Sequence, residues 1–227
     1  QNPQDIPVIE NPNEFTLDGS YSLKLSDFFA MAVTGRFLMS DVKLQSVDSD
    51  SDSASSFAVG ISGFYQSDLK AYKNFNGIWR AGFNLSNLGP RMKYEELGRK
   101  NFIPTNLKVG TAFDFIFDSS NKISLNFELN KLLVPSPSIP IYNSNDQIIG
   151  YNQADVGFLS GVFKSFGDAP DGFSEELKEI TLAFGLEYLY NESFAIRAGY
   201  FNEHENKGAR KYLTFGSGFK LTNINLD

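Results

Sequence analysis

Nine stretches of this 227-residue chain alternate apolar and polar residues almost without interruption, and that alternation confines them to half-buried β-strands. Successive side chains of a strand point to opposite faces, so a period of two gives each stretch one apolar and one polar face. Across 15–25 one face reads Phe15, Leu17, Gly19, Tyr21, Leu23 and Leu25; the other reads Thr16, Asp18, Ser20, Ser22 and Lys24. The same reading holds for 28–40, 56–66, 77–87, 105–117, 122–132, 179–190, 194–203 and 211–221.

The apolar faces read as free of charge, and the charges fall on the opposite faces. A Lys or Arg facing lipid at mid-bilayer costs ~2–4 kcal/mol, which explains exclusion from one face. Charges in mid-strand on the other face require water or a partner of opposite sign. The expected fold is all-β, a transmembrane antiparallel β-barrel with its apolar faces on lipid. Arg36, Arg80, Lys108, Asp114, Glu128, Glu187 and Arg197 are then a charge network filling the lumen. Asp114 and Glu128 could face each other from adjacent strands, but a charge ladder is preferred to an acid–base pair. Inward glycines (Gly60, Gly82, Gly110, Gly185, Gly199) relieve crowding and allow bending.

Composition agrees. Mean hydropathy is −0.24 and no run of 18 apolar residues exists, so no transmembrane helix is expected. Barrel strands carry only a weak hydropathy signal. A net charge of −7 argues against nucleic acid as a partner. Cysteine is absent, which excludes disulfides, Cys-based metal sites and thiol nucleophiles. Tyr21, Tyr65, Trp79, Tyr188, Tyr190 and Tyr200 lie near strand ends and fit an interfacial girdle.

Connections alternate in length. Short ones fall at 26–27, 72–76, 118–121, 191–192 and 222–223; long ones cover 41–55, 88–104, 133–178 and 204–210. Outer-membrane barrels have short periplasmic turns and long extracellular loops. Residues 223–227 read as the start of a tenth strand, with Ile224 and Leu226 on the lipid face. Residues 1–13, with Pro3, Pro7 and Pro12, read as the tail of a loop. The chain is expected to supply nine to ten strands of a larger barrel, because an open edge in lipid leaves backbone groups unpaired. One domain over 1–227 is expected, with 133–178 as an inserted loop.

That loop begins Pro-rich at 134–140. Val156, Leu159, Val162, Phe163 and Phe166 then recur at helical spacing, a short amphipathic helix. Ser174 reads as an N-cap before an acidic first turn, Glu175 and Glu176. Loops this long are usually functional or disordered, and the apolar content here favours functional. Phe158, Phe163, Phe166 and Phe173 are expected to form a docking surface for a protein partner. Asp168, Pro170 and Asp171 would set the turn that presents them. The competing reading is a lid packed on its own barrel.

No catalytic residues, metal or cofactor are expected. His204, the one histidine, sits between Glu203 and Glu205 in a loop and reads as solvated. Asp48, Asp50 and Asp52 have the opening spacing of a calcium loop, but Ser53 and Val59 stand where Gly and Glu are needed.

Several runs resemble one family: GFNLSNLGP at 82–90, FIPTNLK at 102–108, SFGDAPDGFSEELKEI at 165–180, and RAGYFNEH at 197–204 running on to Lys207-Gly208. They are similar to the PorV (LptO) outer-membrane proteins of type IX secretion, relatives of the FadL fatty-acid channels. The resemblance covers 12–227, and the 165–180 run is its most specific part. It implies a FadL-like barrel in the outer membrane that is not an enzyme. Its implied partners are a large SprA-like translocon barrel, the C-terminal signal domains of secreted cargo, and PorU-like attachment-complex proteins, besides outer-membrane lipid. A FadL-like channel for hydrophobic small molecules is the alternative, and the inward charges argue against a wide apolar conduit. An outer-membrane hydrolase would rest on His204 alone. A soluble lipocalin-like barrel with apolar faces inward would be overpacked with aromatics.

Overall fold

The computed structural model describes residues 12–41, 53–94, 100–135, 140–143, 148–151, 156–169, 171–221 and 224–226. In chain order the strands are β1 (Asn13–Lys24), β2 (Phe29–Asp41), β3 (Ala54–Gln66), β4 (Lys70–Ala71), β5 (Asn76–Leu88), β6 (Met92–Lys93), β7 (Lys100–Asn101), β8 (Asn106–Ile116), β9 (Asn121–Leu132), β10 (Pro140–Tyr142) and β11 (Ile148–Tyr151). Helices α1 (Phe158–Lys164) and α2 (Phe173–Lys178) follow, then β12 (Ile180–Tyr190), β13 (Phe194–Asn202), β14 (Lys211–Leu221) and β15 (Ile224–Leu226). All nine expected strands are present within two residues of their predicted ends. No described helix is long and apolar enough to cross a membrane.

The long strands form one antiparallel meander, β1-β2-β3-β5-β8-β9-β12-β13-β14-β15, with β4 paired to β5. Its edges, β1 and β15, are not paired with each other among the described residues. The fold is all-β and barrel-like, with an open sheet.

The register keeps the two faces apart. Phe37 sits opposite Phe57, Phe127 opposite Phe184 and Phe194 opposite Phe219, with ring centroids 5.2, 4.8 and 4.9 Å apart. Aromatic cross-strand pairs of this kind contribute roughly 0.2–1 kcal/mol each. A bulge interrupts β5: Val59 faces Leu88 while Ile61 faces Leu85. The extra residue turns Asn87, at φ 58°, to the polar face. The apolar row is not wholly free of charge, as the alternation had suggested. Asp41, Lys131 and Lys211 share its parity, all at the long-loop end, where a strand leaves the apolar zone.

Turns close the other end. Asn191 and Glu192, at φ 50° and 51°, form a tight turn closed by the Ser193 N–H on the Tyr190 carbonyl at 3.0 Å. Both central residues at positive φ are the mark of a type I′ hairpin. The Asp118 carboxylate accepts from the N–H groups of Ser120 and Asn121, and these bonds hold its pKa below the ordinary value.

At the long-loop end residues 89–94 and 100–105, with the β6–β7 pair, fold over the polar face. Met92 and Ile103 pack there on Ala54 and Ala58, with Leu38 and Tyr94 around them. The Ser56 hydroxyl donates to the Pro90 carbonyl at 3.2 Å. The 133–178 loop holds the β10–β11 hairpin and both helices. The helix expected around 156–166 is α1. The expected Ser174 cap is corrected: the N-cap lies two residues earlier, at Gly172 with φ 73°, and α2 begins at Phe173. No side chain caps the helix, and Glu175 reaches back to accept from the Asp171 N–H at 2.9 Å, ahead of the first turn. Pro170, the 48–52 acidic run and most of 1–13 lie outside the described residues.

Candidate functional site

Two arrangements stand out, a ladder of ion pairs on the polar face and a cap at the long-loop end. The ladder follows from the register. Asp18 sits opposite Arg36 and receives a two-pronged contact from it, at 2.7 and 2.6 Å. Arg36 also donates to Asn87 at 2.7 Å. Arg80 pairs with Asp114, and Lys108 with Glu128 at 3.5 Å. Arg197 donates to Glu187 at 2.7 Å. The seven residues expected in this network therefore all share one face, and each has a partner of opposite sign. The Asp114–Glu128 juxtaposition does not form. Asp114 lies opposite Ser124 and Glu128 opposite Gly110, because the β8–β9 register staggers them. A trough of about 660 Å³ crosses this face over Gly82, Gly110 and Gly185, with Arg80, Lys108 and Glu128 along it.

The cap joins two loops. Gly161 of α1 lies so close to Phe102 that a Cβ there would meet the ring at 2.6 Å, and Pro135 closes the other side at 2.9 Å. Ser165, fully buried, ends α1 by donating to the Val162 carbonyl at 2.7 Å. Arg91 stacks over Phe102, 5.3 Å from the ring centre. The second helix is held by charge. Lys131 Nζ donates to Glu176 at 2.8 Å and to Glu179 at 2.7 Å. Lys207, in the β13–β14 connection, donates to Glu175 and Glu179, each at 3.0 Å. The second oxygen of Glu176 accepts from the Ala169 N–H at 2.8 Å. Burial pushes the Glu176 carboxyl up, and the bonds from Lys131 and Ala169 outweigh it, so its pKa lies below the ordinary value. Glu175 is held low by the Asp171 N–H and by Lys207. Glu175 in turn raises Lys207.

This clamp turns the other side of α2 to solvent. Phe173 is 76 % exposed and Leu177 53 %. On α1, Phe163 is 75 % exposed, and Phe166 beyond it 50 %. Phe158 is half-buried at the start of α1, Asp168 is half-buried, and Asp171 is exposed. Three of the four expected aromatics thus stand out from the cap, and Phe158 is half-buried. Lys131, Glu179, Lys207 and Phe102 escaped the reading of the sequence. Lys131 had a signal: it breaks the row Ile123, Leu125, Phe127, Leu129.

His204 is a structural residue. Its Nδ1 accepts from the Asn206 N–H at 3.2 Å and caps the 3-10 turn Glu205–Lys207. Beside it Arg210 makes a two-pronged contact with Glu203, at 2.7 and 3.0 Å, which holds the Glu203 pKa low. No cluster of metal-ligating side chains occurs among the described residues.

The model of the family described as type IX secretion system protein PorV matches residues 1–139. No curated protein matches the chain. The match takes in β1 to β9 and the 89–105 segment, and it ends before α1 and α2. The 165–180 run therefore lies beyond it. More than half of the chain is covered, and over that length β1 to β9 and the pairs Asp18–Arg36, Arg80–Asp114 and Lys108–Glu128 are built; the chain belongs to the family of the type IX secretion system protein PorV.

Proposed function

We propose that this type IX secretion component is an outer-membrane barrel that uses its cap to bind the translocon rim or the C-terminal signal domain of cargo. The barrel would contain further strands beyond those of this sheet, closing its edges. The observation that carries the binding role is the exposure of Phe163, Phe166 and Phe173 on a cap anchored from behind. Aromatic side chains on a rigid support are typical hot spots, because little entropy is lost when they are covered. On this reading the clamp and the Phe102 contact preorganise the surface, and attachment-complex proteins act downstream of it. Outward Phe, Leu and Tyr side chains would face lipid.

Deleting 154–173 should abolish co-purification of cargo signal domains while the barrel still assembles. The Phe163→Ser, Phe173→Ser double variant should weaken it at least tenfold. Cargo capture that survives both changes would refute the assignment. The ion pairs along the trough, Arg80–Asp114 and Lys108–Glu128, disfavour the reading of a conduit for hydrophobic small molecules.

A further inference from the structure

A cleft of about 390 Å³ opens at the short-turn end of the sheet, next to β5 and β8. Tyr72, Trp79 and Phe113 line it with aromatic surface, and Asp68 and Lys70 bring charge to it. Trp79 and Phe113 belong to the outward apolar row, where they sit directly opposite each other. The rings are fixed in place. Tyr72 stacks on Phe75 at 4.8 Å and meets Phe113 edge-on at 6.2 Å. The Trp79 indole N–H donates to the Thr111 hydroxyl at 2.6 Å, and Tyr65 packs edge-on at 5.7 Å. Lys70 Nζ lies 5.8 Å from the centre of the Tyr72 ring. Among the described residues neither Asp68 nor Lys70 has an ion-pair partner, and they do not pair with each other. An apolar surface thus ends in a prebuilt aromatic cleft with one open cation and one open anion beside it.

We propose that this cleft binds the headgroup of a zwitterionic glycerophospholipid carrying a primary ammonium. The phosphate would sit on Lys70, and the ammonium on Asp68. A primary ammonium donates charge-assisted hydrogen bonds to a carboxylate, which a quaternary ammonium cannot do. A headgroup with phosphate alone would gain Lys70 but be repelled by Asp68, so two open charges of opposite sign select a zwitterion. The acyl chains then continue along Trp79 and Phe113, where aromatic residues of an interfacial girdle belong. The proposal rests on the outward face meeting lipid, as proposed above.

Trp79 is the single tryptophan of these 227 residues and reports on the cleft it lines. The full-length protein would be placed in phosphatidylcholine vesicles doped with acyl-spin-labelled phosphatidylethanolamine, phosphatidylglycerol or phosphatidylcholine. The Trp79 signal is the difference from the Trp79→Phe variant. Labelled phosphatidylethanolamine should quench it at several-fold lower mole fraction than the other two lipids, and Lys70→Gln and Asp68→Asn should each remove that preference. Equal quenching by all three lipids would mean unselective contact and overturn the proposal. So would a preference that survives both substitutions. Quenching by none of them would instead overturn the lipid-facing assignment of the whole outward face.

Discussion

At the scale of single residues, two backbone positions are opposite cases of one rule. Glu192 holds φ 51° in the β12–β13 hairpin, a region that costs an ordinary L-residue roughly 1–2 kcal/mol. Among the described residues its side chain makes no hydrogen bond or ion pair that would offset this, and glycine adopts the angle freely. Glu192→Gly should therefore stabilise the hairpin by about 1 kcal/mol, read as slower hydrogen exchange of the Ser193 amide. Gly208 is the reverse. It sits at φ 142°, and a Cβ there would meet Glu203 Oε2 at 2.3 Å. Gly208→Ala must push Glu203 away from Arg210, losing the two-pronged contact and straining the backbone. Faster exchange across 203–210 is expected, and unchanged exchange would show that the loop does not depend on that contact. Polarity at each position was legible from the chain because it reflects one side chain and its face. Partners were not: Asp114 takes Arg80 rather than standing against Glu128, and only the β5–β8–β9 register decides that.

At the scale of elements, strands and cap differ in how far the sequence announces them. Each of the nine long strands carries its own alternation and could be delimited locally, whereas the short β4, β6, β7, β10 and β11 carry none and were not expected. The docking of α2 depends on Lys131, which lies 45 residues before Glu176, and on Lys207, 32 residues after Glu175. No local pattern encodes those distances. The clamp makes α2 separable by chemistry. Lys131→Met leaves Glu176 buried without its cation, which should cost about 2 kcal/mol of helix docking. Exchange across 171–179 would then rise, with β9 and β12 unaffected. Acid should do the same. The carboxyls of Glu175 and Glu176 are depressed in the folded state, so their contribution is complete above the ordinary value of 4.5 and is lost as pH falls below it through the folded values. Lys207 is raised above 10.5, so its contribution is complete below that value. Docking of α2 should be flat across neutral pH and fail below about pH 4.5. A transition near pH 6–7 instead would show that some other group governs the cap.

At the scale of the molecule, the segregation of the two faces holds the design together, and it does not stop where the family match stops. β9 pairs with β12 in continuous register from Asn121↔Tyr190 to Lys131↔Ile180, and β13 and β14 extend the same outward row. The outward face leaves large apolar side chains uncovered from edge to edge, including Leu17, Phe57, Phe184 and Phe215. Monomers in water rarely show contiguous apolar patches larger than a few hundred Å². A bilayer removes the problem, and it makes the cost of charge depend on the face. Phe184, near the middle of β12, points outward opposite Phe127; Asn126, one residue along β9, points to the polar face and lines the trough. Phe184→Arg should lose ~2–4 kcal/mol of folding free energy in lipid vesicles, whereas Asn126→Arg should lose well under 1 kcal/mol. Urea titration of folding into vesicles measures both. The comparison needs no partner protein, so it tests the membrane-facing surface independently of cargo binding. If the two variants lose stability equally, the outward face is not the one that meets lipid, and the ladder of Arg36, Arg80, Lys108 and Arg197 would need another explanation for its place on the sheet.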